Sequence, residues 1–122
     1  MVRMETEIYS ISFYGLDPQY YTNEMIGNIW NKAAIRVYQE TGIIITGEVH
    51  DRYYVRPDIG ELNGSTIFMI ESRKDPHEVA TVQDYWNAYR EVVEEARSQL
   101  GNPGMSLTEE KVIITYFEKI LN

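Results

Sequence analysis

The chain has 122 residues, 43% of them apolar and 25% charged, which is the size and balance of one globular domain over residues 1–122. It contains no cysteine, so disulfides, thiol nucleophiles and cysteine-bound metals are excluded. The formal net charge of −8, with 11 basic residues scattered among 19 acidic ones, opposes binding to nucleic acid through phosphate contacts. No apolar run approaches the ~20 residues of a membrane span and the N-terminus lacks a signal core, so we expect a cytoplasmic protein without membrane contact.

The first two predicted elements are a strand and a long helix. Residues 7–15 (EIYSISFYG) are rich in β-branched and aromatic residues, as strands are. Asp17 and Pro18 are favoured at a helix start and Gly42 at a helix end, so the apolar stripe between them predicts a helix over 18–41. The strand alternates between two faces, with Tyr9, Ile11 and Phe13 on one and Ser10, Ser12 and Tyr14 on the other.

Residues 43–55 have an apolar period of two and predict the second strand. Such a strand would extend about 43 Å, so we expect a bend or bulge near Gly47. Turn formers over 57–64 and a β-branched run over 65–73 then predict a hairpin with a third strand. The polar face of the second strand consists of Thr46, Glu48, His50, Arg52, Tyr54 and Arg56.

The length of the hairpin loop predicts a register in which the numbers of opposed residues sum to about 121. A slip of one residue would exchange the apolar and polar faces, so that slip is excluded by the core pattern. The predicted pairs are Glu48 with Arg73, His50 with Glu71, Arg52 with Met69 and Tyr54 with Ile67.

After a loop over 74–81, Thr81 can cap a second helix that ends at Gly101. Residues 108–121 fit both a helical stripe and a β-branched strand. We predict a strand, because Ile114 would lie on the polar side of a helix and because three strands make a poor sheet. The order β-α-β-β-α-β predicts a ferredoxin-like α+β fold, with a four-stranded antiparallel sheet and both helices on one face.

A sheet with helices on one face leaves the other face open, and here the open face carries the polar row of the second strand. This face is interpreted as a solvated surface with cross-strand ion pairs, as a pocket, or as an interface with a second copy. The interface hypothesis rests on apolar and aromatic residues that need covering on this face: Ile44, Ile67, Met69, Tyr14 and Tyr54. In the pocket hypothesis, His50 accepts or donates a proton, and Glu48 or Glu71 orients its imidazole ring. Arg52 or Arg73 binds an anionic group of the substrate. The candidate site residues are His50, Glu48 and Glu71 for catalysis, and Arg52, Arg73, Tyr54, Tyr14 and Ser12 for ligand binding.

The sequence predicts neither a metal site nor a cofactor. His50 and His77 are 27 residues apart and belong to no HxH, HxxxH or HExxH spacing. The glycines of residues 60–65 (GELNGS) fit a hairpin turn, since no GxxxxGK[ST] or GxGxxG pattern is present.

We therefore expect a small homodimer that binds a small-molecule ligand or a protein partner at the open sheet face. The alternative is a cofactor-independent enzyme of the dimeric α+β barrel type, with His50 as the acid or base. A third hypothesis is an acidic inhibitor of a nucleic-acid-binding enzyme, which the negative charge would suit.

Overall fold

The structure is a computed structural model that describes residues 1–55, 57–59 and 65–120. Its antiparallel sheet has the strand order β2-β3-β1-β4, so the ferredoxin-like prediction is confirmed, including a strand near the C-terminus. A short 3-10 turn, Pro57–Ile59, lies in the hairpin between the second and third strands, and the rest of the predicted turn, residues 60–64, lies outside the described residues. The elements are β1 (Val2–Tyr14), α1 (Asn23–Thr41), β2 (Glu48–Tyr54), β3 (Ser65–Arg73), α2 (Val82–Gln99) and β4 (Gly104–Tyr116).

The core lies between the two helices and one face of the sheet. On the central strand β1, the predicted apolar face is confirmed, with Ile11 and Phe13 fully buried and aligned with Ile70 and Phe68 of β3. The helices add a mostly apolar or aromatic set to the same cluster: Ile26, Trp30, Ala33, Val37, Tyr85, Ala88, Tyr89, Val92, Val93 and Ala96. Within the described ranges, neither helix is long and apolar enough to cross a bilayer.

The starts of α1, β1, β2 and β4 differ from the prediction. The helix α1 begins at Asn23, because the Thr22 side chain accepts a hydrogen bond from the backbone N–H of Met25 and caps it there. Asp17 instead closes a separate turn, in which its carbonyl accepts the N–H of Tyr21. The strand β1 begins at Val2, well before residue 7, since β4 pairs with it along its whole length.

The second strand begins at Glu48, so the predicted strand from residue 43 is wrong in its first part. The predicted irregularity at Gly47 has a physical cause in the Trp30 ring. The indole N–H of Trp30 donates to the Thr46 carbonyl at 3.1 Å, and the Ser72 hydroxyl donates to the same oxygen at 2.8 Å. A Cβ on Gly47 would lie 2.6 Å from the indole nitrogen, so only glycine fits beside this ring.

The predicted register between β2 and β3 is also wrong, by two residues. A shift of two residues leaves every side chain on the same face of the sheet, so the apolar pattern could not exclude it. The observed pairs are Glu48 with Glu71, His50 with Met69, Arg52 with Ile67 and Tyr54 with Ser65.

Three tyrosines form the aromatic centre of the core. The Tyr9 ring lies 5.6 Å from the Tyr85 ring and 4.9 Å from the Tyr89 ring, between centroids. The Tyr9 hydroxyl donates to Glu7 at 2.5 Å, but within the described ranges the buried hydroxyls of Tyr85 and Tyr89 have no hydrogen-bond partner. Burial raises the pKa of Tyr85 and of Tyr89 far above the usual tyrosine range.

Replacing Gly47 by alanine tests the close approach to Trp30. We expect Gly47→Ala to lower the free energy of unfolding by about 1–3 kcal/mol, because the new methyl group must displace the indole ring. Urea denaturation at neutral pH measures the change. The matched control is Gly27→Ala in α1, where the nearest atom to a new Cβ is 3.7 Å away. This control should stabilise the protein by about 0.5–1 kcal/mol, since alanine favours helix. Equal stability in the two variants would contradict the proposed clash.

Replacing Tyr89 by phenylalanine tests the unpartnered hydroxyl. We expect Tyr89→Phe to raise the free energy of unfolding by about 1 kcal/mol at neutral pH, because a buried hydroxyl without a partner is removed. Above about pH 10 the unfolded tyrosine ionises while the folded one keeps its proton, so stability falls as pH rises. The variant should lose stability less steeply between about pH 9 and 11 in urea titrations. Exposed Tyr20 is the control, and Tyr20→Phe should retain the alkaline slope of the parent. If stability fell with rising pH as steeply in Tyr89→Phe as in the parent, the raised pKa of the Tyr89 hydroxyl would be refuted.

Candidate functional site

The face of the sheet away from the helices carries polar residues in rows that cross all four strands. Residues paired directly across an antiparallel sheet project to the same side. One row is formed by Glu48 of β2, Glu71 of β3, Ser10 of β1 and Thr108 of β4. This row places two carboxylates on neighbouring strands, next to two hydroxyls.

The neighbouring row contains the predicted acid or base. His50 lies opposite Met69, which pairs with Ser12, which in turn pairs with Ser106. The Ser106 hydroxyl is 2.9 Å from the hydroxyl of Tyr14. The imidazole of His50 is therefore beside a thioether rather than beside the carboxylate of the predicted pair.

An aromatic pair stands at one end of this face. The rings of Tyr14 and Tyr54 meet edge to face, with centroids 6.4 Å apart. Their exposed fractions are 39% and 41%, so each ring keeps a surface that a planar group can contact. Arg52 lies on the same strand as Tyr54, opposite the buried Ile67.

The two predicted anion-binding arginines are far from each other. Arg73 is opposite Ile8 and follows Glu71 by two residues on β3, so it projects on the same side as that glutamate. Arg52 is opposite Ile67, which lies six positions before Arg73 on β3, or about 20 Å away. Arg73 thus belongs with the carboxylates, and Arg52 with the tyrosines.

The facing carboxylates of Glu48 and Glu71 dominate the electrostatics of the site. Like charges directly opposite each other on a sheet are destabilising. Among residues 1–55, 57–59 and 65–120, the ion pairs formed do not include either glutamate. A cation bound between these side chains would relieve their repulsion, so this row favours a positively charged group.

His50 is half-buried, and its Nε2 atom is buried without a hydrogen-bond partner among the described residues. The other histidine, His77, lies in the loop before α2, where its Nδ1 is 3.2 Å from Asp75. The backbone N–H of His77 lowers the pKa of the Asp75 carboxyl. His77 thus contacts Asp75 and the ring of Tyr116 at the end of β4 rather than His50.

The described cavities lie elsewhere. One of about 690 Å³ is lined by the end of α1 and the start of α2, including Thr41, Asp84 and Glu91. Another of about 460 Å³ lies beside Glu7 and Lys74. Across the part of the chain that the structure describes, no group of three or more metal-ligating side chains is assembled.

Two predicted members of the polar row are displaced or not described. Thr46 precedes β2, and its side chain approaches the backbone of Arg73 at 3.5 Å. Ile44 also lies outside the strand, where its N–H donates to Glu78 at 3.0 Å. Arg56 lies outside the described residues.

Sequence reasoning missed the residues that β4 brings to the face. Ser106 and Thr108 complete the two rows. The signal was present as the alternation of small polar residues with Met105 and Leu107, which pack against the core. It could not be used because the same segment also fitted a helical stripe, with Ser106 in the position of a cap.

Comparison with known proteins gives the family. A sequence model of the SAM lyase family matches residues 4–118. The chain belongs to the SAM lyase family. No curated protein matches its sequence.

Solved structures agree with this SAM lyase family assignment at the level of fold. A phage SAM lyase in complex with S-methyl-5'-thioadenosine is 15% identical, with a TM-score of 0.54 over 91% of this chain and 90% of that one. A phage SAM lyase in the apo state is 12% identical, with a TM-score of 0.54 over 93% of this chain and 92% of that one. The family member described here therefore retains the fold with few identical residues.

Neutralising one of the facing carboxylates tests their repulsion in this SAM lyase family member. We expect Glu48→Gln to raise the free energy of unfolding of the ligand-free protein by about 0.2–1 kcal/mol. Urea denaturation at low and high salt measures it, and the gain should shrink at high salt because the repulsion is screened. The matched control is Glu40→Gln, which loses an ion pair with Arg36 and should not stabilise the protein. A loss of stability in Glu48→Gln would show that the carboxylates do not repel each other.

Proposed function

We propose that this protein binds S-adenosylmethionine on the open sheet face and cleaves it to S-methyl-5'-thioadenosine. The observation that carries the proposal is the pair of facing carboxylates, Glu48 and Glu71, which favours a cationic ligand. Membership of the SAM lyase family supports the substrate. The S-methyl-5'-thioadenosine bound to a phage relative of the same fold supports the product.

The product identifies the bond that breaks. S-adenosylmethionine is a sulfonium cation in which sulfur carries a methyl group, the 5'-carbon of adenosine and the γ-carbon of the amino-acid chain. S-methyl-5'-thioadenosine keeps the first two groups, so the bond to the γ-carbon is the one that is lost. Its electron pair goes to sulfur, which becomes a neutral thioether. A lyase adds no water, so the γ-carbon gains its new bond within the fragment, from the fragment's own carboxylate oxygen or from a double bond formed by loss of a β-proton.

The rows of the open face match this ligand from end to end. We place the ammonium group against Glu48 and Glu71, and the carboxylate against Arg73, which follows Glu71 on the same side of β3. Adenine contacts the ring pair of Tyr14 and Tyr54, since an aromatic surface with polar tips suits a purine. From Ser10 in the carboxylate row to Tyr14 is four residues, or about 13 Å along β1.

The middle row would then contact the reacting atoms. His50, Met69, Ser12 and Ser106 lie between the carboxylate row and the tyrosine pair. A thioether and an imidazole next to sulfur leave the sulfonium without a facing carboxylate. This matters because the sulfonium charge disappears as the bond breaks, so a carboxylate held against sulfur would stabilise the substrate more than the transition state. The ammonium charge does not change during the reaction, so its contact with the glutamates stabilises the substrate and the transition state equally.

A second copy over the open face would turn this surface into an enclosed site. The ring surfaces of Tyr14 and Tyr54 are partly exposed. Covering them would remove apolar surface from water and strengthen the interaction of the charged groups with the ligand. Arg52, about 20 Å from Arg73 along the sheet, would contact the covering chain or the adenosine end.

Incubation with S-adenosylmethionine tests the proposed function directly. We expect S-methyl-5'-thioadenosine to appear in chromatography coupled to mass spectrometry. Glu71→Gln and Arg73→Gln should each reduce kcat/KM by about 10- to 100-fold, because each removes a charged contact to the amino-acid end. Glu40→Gln on α1 is the matched control and should keep the parent rate. Absence of S-methyl-5'-thioadenosine with the folded parent protein, or full activity in both site variants, would refute the proposal.

The fate of the four-carbon fragment separates the chemical routes. In water labelled with oxygen-18, a lyase leaves the γ-carbon free of label, whereas a hydrolase adds labelled oxygen to it. His50→Gln distinguishes the two lyase routes. Loss of a β-proton requires a base, so that route predicts a rate reduced by about 100-fold or more, while attack by the fragment's own carboxylate leaves the rate largely unchanged.

A further inference from the structure

The hydroxyls of Tyr14 and Ser106 form a contact between the central strand β1 and the outer strand β4. Tyr14 is paired with Gly104, and Ser106 is paired with Ser12, so Tyr14 and Ser106 are diagonal neighbours in the sheet. Their hydroxyl oxygens are 2.9 Å apart. Diagonal neighbours in an antiparallel sheet are within reach of an aromatic side chain. The Tyr14 side chain therefore extends toward β4 and toward the row that contains Ser106.

Gly104 leaves room for this orientation of the Tyr14 side chain. It lies directly opposite Tyr14 and has no side chain of its own. A Cβ at this position would lie 3.8 Å from the Cβ of Tyr14, which is an ordinary contact distance. A longer side chain would project from the same face of the sheet, next to the phenol ring. Glycine at 104 and serine at 106 therefore both suit the observed position of the ring.

The Tyr14 ring has a second contact, with Tyr54 of β2. The planes of the two rings meet at 68°, an arrangement that aromatic pairs favour. Tyr14 is thus held through its hydroxyl and through its ring, although 39% of its surface is exposed. An exposed side chain normally keeps rotamer freedom, which is lost when a ligand binds against it. A ring that two contacts already fix loses less freedom, so it binds a ligand more tightly.

The hydroxyl contact leaves the phenol able to bond to a nucleobase. Either hydroxyl can be the donor. If Ser106 donates, the phenol O–H of Tyr14 can donate to a ligand, and if Tyr14 donates, its oxygen can accept. Adenine offers partners for both cases, because its ring nitrogens accept hydrogen bonds and its amino group donates them.

We propose that Ser106 is a positioning residue for the nucleoside end of the ligand, because its hydroxyl holds Tyr14 in the orientation that contacts adenine. The inference rests on the proposed function, in which adenine contacts Tyr14 and Tyr54. Ser106 is the member of the middle row whose hydroxyl Tyr14 engages. Its removal should therefore change the affinity for the nucleoside and leave the chemical step unaltered.

Binding of S-methyl-5'-thioadenosine isolates this end of the ligand, because the molecule carries the nucleoside and lacks the amino-acid chain. We expect Ser106→Ala to raise its Kd in isothermal titration calorimetry by about 3- to 10-fold. Tyr14→Phe should have the same effect, and the double variant should be no weaker than either one, since both changes remove one hydrogen bond. Ser106→Thr keeps the hydroxyl on a residue that strands favour, so it should retain the parent Kd.

Kinetics with S-adenosylmethionine separates positioning from a structural effect. In Ser106→Ala, KM should rise by the same factor as the Kd, while kcat stays within about twofold of the parent value. Arg73→Gln should lower kcat/KM and leave the Kd of S-methyl-5'-thioadenosine unchanged, because it affects the amino-acid end. Ser98→Ala, at an exposed position near the end of α2, is the matched control and should change neither quantity. Circular dichroism establishes that each variant is folded.

Three results would overturn the role of Ser106: the parent Kd in Ser106→Ala, additive effects in the double variant, or a reduced kcat at unchanged Kd. Failure of the proposed function gives a different pattern. A parent protein that binds S-methyl-5'-thioadenosine, with weaker binding in Ser106→Ala, but forms none of it from S-adenosylmethionine would refute the cleavage and support the role of Ser106. A parent protein that does not bind S-methyl-5'-thioadenosine would overturn both.

Discussion

The carbonyl oxygen of Thr46 is the point on which the arrangement of the open face depends. It accepts hydrogen bonds from the Trp30 indole and the Ser72 hydroxyl, which ties the chain between α1 and β2 to the core before the strand begins. Gly47 then passes the indole ring at a distance that no Cβ could occupy. Because β2 enters the sheet from this fixed position, Glu48 is aligned with Glu71 and His50 with Met69. A core hydrogen bond thus sets which charges face each other on the opposite side of the sheet.

The fold could be predicted from the sequence because each of its determinants is local. The alternation in β1, the caps at Gly42 and Thr81, and the stripes of the two helices each depend on neighbouring residues, and they agree on one architecture. The register of β2 depends on the Trp30 contact and on the path of the loop, neither of which has a local pattern. The predicted register was wrong by two residues, so every side chain was assigned to the correct face of the sheet. It nevertheless paired His50 with Glu71, whereas the observed partner is Met69.

The face on which the candidate residues lie could be predicted, but their neighbours on that face could not. Side chains such as Ser12, Tyr14 and His50 project from the open face as the alternation required. The rows that join them across strands arise only when the register and the place of β4 are known. Ser106 and Thr108 belong to those rows, yet their segment also had the period of a helix, and only tertiary pairing with β1 decided between the two. Chemistry that depends on which residues are neighbours therefore could not be derived before the structure.

The alternation of the central strand has a consequence for how such a sequence can change over time. In β1, odd-numbered positions such as Ile11 hold the core together, and even-numbered positions such as Ser12 project from the open face. A substitution at one set leaves the other set in place, so selection for stability and selection for activity act on different residues of the same strand. Relatives can therefore replace the residues of one face without disturbing those of the other, which fits a shared fold at 12–15% identity.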